Sequence, residues 1–219
     1  MLALIRKDLM IELRTRETFA ALLLLGLLTL LILSFAFDPT SELRRDAAPG
    51  SLWVSVAFAA VSALGRCFLT ERDNNCLAGL LLSPLDRGSI YLAKTATNIL
   101  LMMTSVVLLL PVCVLFFDLP LLPQLGWVVV ALTLGVIGLA AIGTLFAAIA
   151  VHTRAREIIL PLLMLPLIVP IFIAGMRATS KLLLGKALAD AAPWLNLMVG
   201  FDAIFLVVGW LAFEYVVAE

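Results

Sequence analysis

An all-α integral membrane protein of six transmembrane helices is the fold class this sequence predicts, and three observations predict it. Hydrophobic residues make up 63% of the 219 residues and charged residues only 14%, a balance foreign to domains that fold in water. The apolar residues gather into six runs, each near the ~20 helical residues that cross a hydrocarbon core. None of the runs alternates polar and apolar side chains at every second position, as the strands of a membrane barrel do.

Taken in order, the spans are expected near 18–37, 51–69, 95–117, 125–151, 158–176 and 195–217, within a single membrane domain covering 1–219. The charged arm ahead of the first run is long and no small-residue cleavage site follows it, so this run is expected to stay as a span rather than be removed as a signal. In that arm Leu2, Ile5, Leu9 and Leu13 recur at helical spacing while Lys7 and Arg14 point the other way, which predicts an amphipathic helix lying at the membrane interface. Ten Lys and Arg residues fall on one side of the spans: Arg6, Lys7, Arg14, Arg16, Arg66, Arg72, Arg87, Lys94, Arg154 and Arg156. The other five, Arg44, Arg45, Arg177, Lys181 and Lys186, fall opposite. Positive charge is retained in the cytoplasm, so both termini are expected there in a multi-pass protein.

The connection between spans 2 and 3 carries the densest information outside the runs. Leu77, Leu80 and Leu81 stand at i, i+3, i+4 among Glu71, Arg72, Asp86 and Arg87, the pattern of a short amphipathic helix on the cytoplasmic side. Ser83 followed by Pro84 and Asp86 reads as a helix start, with Ser83 as cap and Pro84 in the first turn. Inside the runs, Ser51, Ser55, Ala59 and Ser62 form one small-residue stripe and Ala140, Thr144 and Ala148 another, both suited to close helix contact. Pro161, Pro166 and Pro170 each take a backbone bond from the fifth span and are expected to bend it. Trp53, Trp127, Trp194 and Trp210 lie near span ends, where interfacial anchors sit.

Two charges qualify as intramembrane polar residues. Asp202 lies several residues inside the sixth span on its outer side, a costly position that makes it a functional candidate, with an interfacial hydrogen-bonded carboxylate as the plainer alternative. Arg66 continues the Ser51 stripe and is expected to snorkel to the cytoplasmic interface. Cys67, Cys76 and Cys113 have no paired spacing and are expected as free thiols. No catalytic set, metal-ligand spacing or phosphate loop is present: Gly185-Lys186 has neither the preceding glycine nor the following hydroxyl of such a loop. The chain is expected to be non-catalytic, with no cofactor bound directly, no nucleic-acid partner, and the lipid bilayer as its surroundings.

Three segments carry a resemblance: 48–54 (Ala-Pro-Gly-Ser-Leu-Trp-Val); 71–94, from Glu71 through Leu-Leu-Leu-Ser-Pro-Leu-Asp-Arg to Ile-Tyr-Leu-Ala-Lys; and 160–170, from Leu-Pro to Pro-Leu-Ile-Val-Pro. In these, in length and in span count, the chain resembles the haem exporter protein B (CcmB) family, the membrane subunit of an ABC-type complex of cytochrome c maturation. The resemblance implies a bacterial inner-membrane location and a cytoplasmic ABC ATPase subunit that binds the ATP. It also implies a haem-handling membrane subunit, a small accessory membrane subunit and a periplasmic haem chaperone, with haem handled by the complex. Under this reading Glu71, Arg72, Leu77, Leu80, Leu81, Pro84, Asp86 and Arg87 form the element that couples to the ATPase. His152, the one histidine, reads as a solvated or capping residue rather than a haem ligand. Competing readings are a scaffold without a transport cycle and an ABC membrane subunit for a lipid or polysaccharide.

Overall fold

Backbone groups have no water to bond within a hydrocarbon layer, so the apolar runs close their hydrogen bonds internally as helices. The computed structural model describes residues 1–38, 41–68, 86–119, 124–150, 156–183 and 185–216, and every regular element among them is helical. The order is α1 (Leu2–Thr15), α2 (Glu17–Ala36), α3 (Glu42–Arg66), α4 (Arg87–Phe117), α5 (Leu125–Ala150), α6 (Arg156–Leu183) and α7 (Leu188–Val216). The six from α2 to α7 are long and apolar enough to cross a membrane. α3 and α5 are the most enclosed. α2 packs on α3 and α4, while α5, α6 and α7 pack on one another; α3 against α6, and α4 against α5 and α7, join the two groups.

The helices outrun the apolar stretches that foretold them, because capping, not hydropathy, decides where a helix starts. α3 begins at Glu42 rather than 51: the Ser41 hydroxyl accepts from the Leu43 N–H at 3.1 Å, meeting one of the orphan donors of the first turn. α4 begins at Arg87 rather than 95, capped by Asp86, whose carboxylate accepts from the Ser89 N–H at 3.3 Å; the helix start expected at Ser83 and Pro84 lies outside the described residues. α6 runs unbroken through Pro161, Pro166 and Pro170, supported along its length by α3, α5 and α7.

α1 exists as expected. Leu4 is buried and Ile5, Asp8, Leu9 and Ile11 are partly covered, whereas Leu2 and Leu13 are exposed, so the helix turns Leu4 and Asp8 toward the bundle and leaves much of the apolar stripe outside, as a helix at a lipid interface does. α2 buries Thr18, Leu22, Gly26, Leu30 and Ser34 against the bundle, one residue per turn with Leu23 and Leu27 packed alongside, and leaves Leu24, Leu28 and Ile32 exposed, as a helix facing lipid does.

Large side chains seat in gaps left by glycine. Trp53 is 1% exposed, contrary to its expected place as an interfacial anchor; its indole lies over Gly135 of α5 and Gly175 of α6, where an added Cβ would overlap the ring. The indole N–H donates to Thr179 Oγ1 at 3.1 Å, and Phe172 meets the ring edge-on at 5.8 Å between centroids. Two missing Cβ atoms and one acceptor thus make a core site for a residue whose hydropathy fits the interface equally well. Of the other tryptophans, Trp127 and Trp210 are exposed and Trp194 is half-buried. The small stripes also face inward: Ser51, Ser55 and Ala59 are buried on α3, as are Ala140, Thr144 and Ala148 on α5. Gly135→Ala and Gly175→Ala should each destabilise the detergent-solubilised protein by about 1–3 kcal/mol through overpacking, measured by thermal unfolding; the same change at Gly200, which has open space around it, should be near neutral.

Candidate functional site

Two ends of the bundle are distinguished by their polar contacts. At one end Arg44 donates to the Phe116 carbonyl and Arg45 pairs with Asp118, so the start of α3 caps the end of α4. Gln124 Nε2 donates to the Lys186 carbonyl at 2.9 Å, and Lys181 Nζ to the Asp190 carbonyl at 2.9 Å. These tie connections together near the surface.

The opposite end, which carries α1, has a deeper construction. Along α4, Tyr91, Lys94 and Asn98 recur at i, i+3, i+7 and place polar atoms on one inward face. Tyr91 Oη donates to the Ala141 carbonyl at 2.9 Å, and its ring fills the space over Gly209. Asn98 Nδ2 donates to Thr144 Oγ1 at 2.9 Å and reaches Cys67 Sγ at 3.1 Å. Lys94, with its side chain only 4% exposed, sets Nζ 3.0 Å from Asp8 Oδ2 and donates to the Cys67 carbonyl at 3.2 Å. The Asp8 contact is an ion pair without the alignment of a hydrogen bond. The ammonium also lies 5.3 Å from the Phe68 ring centroid. A carboxylate, the negative end of α3 and an aromatic face together replace the water this cation gives up.

Around Lys94 is a small cavity of about 60 Å³ walled by Asp8, Glu12, Thr18, Arg66, Cys67 and Asn98, among others. Arg66, expected to snorkel from within the membrane, is the last residue of α3 and pairs with Glu17 Oε2 at 3.0 Å. Glu12 Oε1 accepts from the Phe19 N–H at 2.7 Å, so a carboxylate of α1 serves the positive end of α2. Arg16 between them is left-handed, with φ 57°, a turn geometry disfavoured for a residue with a Cβ.

The expected coupling residues divide. Glu71, Arg72, Leu77, Leu80, Leu81 and Pro84 lie outside the described residues. Asp86 and Arg87 lie at the start of α4, Asp86 as its cap and Arg87 donating from Nη1 to the Glu214 carbonyl near the end of α7 at 3.1 Å. In the sequence Lys94 stood out as a topology charge and, with Tyr91, as part of the segment carrying the resemblance, whereas Asp8 and Asn98 did not stand out. The signal was present in the i, i+3, i+7 spacing of Tyr91, Lys94 and Asn98, the larger polar side chains of that stretch.

Asp202 lies midway along α7, which begins at Leu188. It is 5% exposed, lies against Gly138 of α5 beside Ile171 of α6, and both carboxyl oxygens lack a hydrogen-bond partner among the described residues. An unpaired buried polar group costs about 1–3 kcal/mol. Asp202→Asn, equal in shape and uncharged, should unfold at a temperature no lower than the parent in detergent; a fall of several degrees would reveal a partner for the carboxyl.

The chain as a whole has relatives. Heme exporter protein B of Paracoccus denitrificans is 31% identical over 190 residues, 87% of this chain and 85% of its own length. The protein of that name from Rhodobacter capsulatus is 30% identical over 175 residues, 80% of each chain, and the one from Bradyrhizobium diazoefficiens is 26% identical over 207 residues, 94% of this chain and 92% of its own. With the CcmB protein family matching residues 1–218, the chain belongs to that family.

Proposed function

We propose that the chain is the membrane subunit of an ABC-type haem-trafficking complex of cytochrome c maturation. It couples ATP hydrolysis by a cytoplasmic ATPase partner to haem delivery, or to release of a haem-loaded periplasmic chaperone. The observation that carries this reading is the family match across residues 1–218, supported by relatives whose printed name is heme exporter protein B. The six helices long and apolar enough to span a bilayer suit a membrane subunit.

Haem enters this reading as cargo. ATP is bound by the partner, and the chain's own part is mechanical. A haem-handling membrane subunit and a small accessory subunit complete the complex. Under the expected orientation the end bearing α1 faces the cytoplasm, since ten of the fifteen Lys and Arg residues lie on that side. The ATPase then meets residues 71–84, where Leu77, Leu80 and Leu81 fill a groove and Glu71 and Arg72 fix register. Asp86 and Arg87 act behind that contact, because their side chains already hold the ends of α4 and α7. The ATPase can bias the helices only by the difference in its contact energy between nucleotide states, so the contact must be anchored to elements that move together.

Charge reversal at Glu71 and Arg72 together should lower recruitment of the ATPase partner to membranes about tenfold, equivalent to ~1.4 kcal/mol, read by co-sedimentation and by ATP turnover of the purified complex. Unchanged recruitment removes these residues from the contact. Turnover unaffected by the presence of this chain favours the scaffold reading instead.

A further inference from the structure

The polar cluster around Lys94 joins three elements through one ammonium. Asp8 belongs to α1, the Cys67 carbonyl follows the last turn of α3, and Lys94 itself stands in the second turn of α4. α3 and α4 are the two helices that flank the connection assigned above to the ATPase contact. Close packing alone would also hold α1 in place, and an apolar pair in the position of Asp8 and Lys94 would hold it at least as firmly, since buried ion pairs gain little over well-packed apolar residues. What the ion pair adds is register. Sliding α1 by a turn takes the Asp8 carboxylate away from the Lys94 ammonium, and that loss costs most where the dielectric is low.

The way α1 is attached supports the same reading. It is joined to α2 by the single left-handed residue Arg16, and Glu12 spans that joint to the Phe19 N–H. α1 packs mainly on α4 and little on α2. It is thus a helix turned sharply at Arg16 and tied to α4 near its middle.

We propose that α1 is a strap: Asp8 of α1 holds in place the Lys94 ammonium that donates to the Cys67 carbonyl, so that the end of α3 and the start of α4 answer as one body to a force applied at this end of the bundle. The inference rests on the ATP-coupled reading for its consequence, but the lock itself does not. Asp8 and Lys94 are positioning residues that contact neither nucleotide nor cargo.

Cys67 supplies a native reporter, because its thiol lies in the cavity beneath α1, whereas Cys113 is buried toward the other end of α4 and reports the intact core. The complex with its ATPase partner, carrying Cys76→Ser, is labelled in detergent with a polar maleimide. Asp8→Asn should raise the Cys67 labelling rate about tenfold while Cys113 stays protected, and Asp8→Glu should keep Cys67 protected. Lys94→Met should act as Asp8→Asn does. Reconstituted with the partner subunits and chaperone, Asp8→Asn should lower haem delivered per ATP hydrolysed, with Asp8→Glu restoring the ratio. Unchanged Cys67 labelling in both Asp8→Asn and Lys94→Met would overturn the strap, as would raised labelling with the parental ratio of haem to ATP. Because the labelling arm needs neither nucleotide nor haem, a complex whose parent form delivers no haem would count against the proposed function and leave the lock standing on the labelling result.

Discussion

The constraint on which this structure depends is that lipid offers helices no hydrophobic reason to associate, since tails are as apolar as leucine. Contact must come from close fit, and the bundle obtains it by setting large side chains against missing ones. Trp53 lies over Gly135 and Gly175, Ile171 over Gly138, Leu64 over Gly143 and Tyr91 over Gly209. α2 follows the same rule with Gly26 against Leu109 and Ala59. Each contact gains many small dispersion terms that a looser approach would forfeit. α5 contributes glycine to three of these seats, which accounts for its place among the most enclosed spans.

Polar groups obey the complementary constraint. Within hydrocarbon an unmet donor or acceptor has no water to turn to. Several inward polar atoms are accordingly used across helices, as in Trp53 to Thr179, Tyr91 to the Ala141 carbonyl and Asn98 to Thr144, while Ser34, Ser55, Thr97 and Ser105 donate to carbonyls of their own helix. These bonds do what shape cannot, since they select one register where glycine and leucine would permit several. Charges are concentrated at the ends. The end with α1 buries a cation, whereas the other uses surface arginines to satisfy helix termini. That asymmetry places the most constrained polar structure beside the segment assigned to the ATPase. Asp202 is the exception to the pattern, a carboxylate in the middle of the bundle with no partner among the described residues.

The six spans and the interfacial helix were legible in the sequence because both follow from residue type summed over a window: a long apolar run has nowhere to go but lipid, and a charged arm with leucines every turn forms an amphipathic rod. Family membership was legible from short segments such as 48–54 and 160–170. The small-residue stripes on α3 and α5 were legible as contact faces. Helix starts were not, because Ser41 and Asp86 act through single hydrogen bonds that hydropathy does not weigh.

What the sequence determined by itself is the solvent of this chain and the number of times it crosses that solvent, since both depend only on local composition and on the fixed length of helix a bilayer requires. The tertiary structure alone decided which faces meet. Trp53 belongs to the core, not the interface, because two glycines from helices far away in sequence converge on it. Asp8 of α1 turns toward the bundle because Lys94 stands on α4. Such choices depend on pairs of residues distant along the chain, and the energy of a buried charge or an indole has no value until its partner is in place.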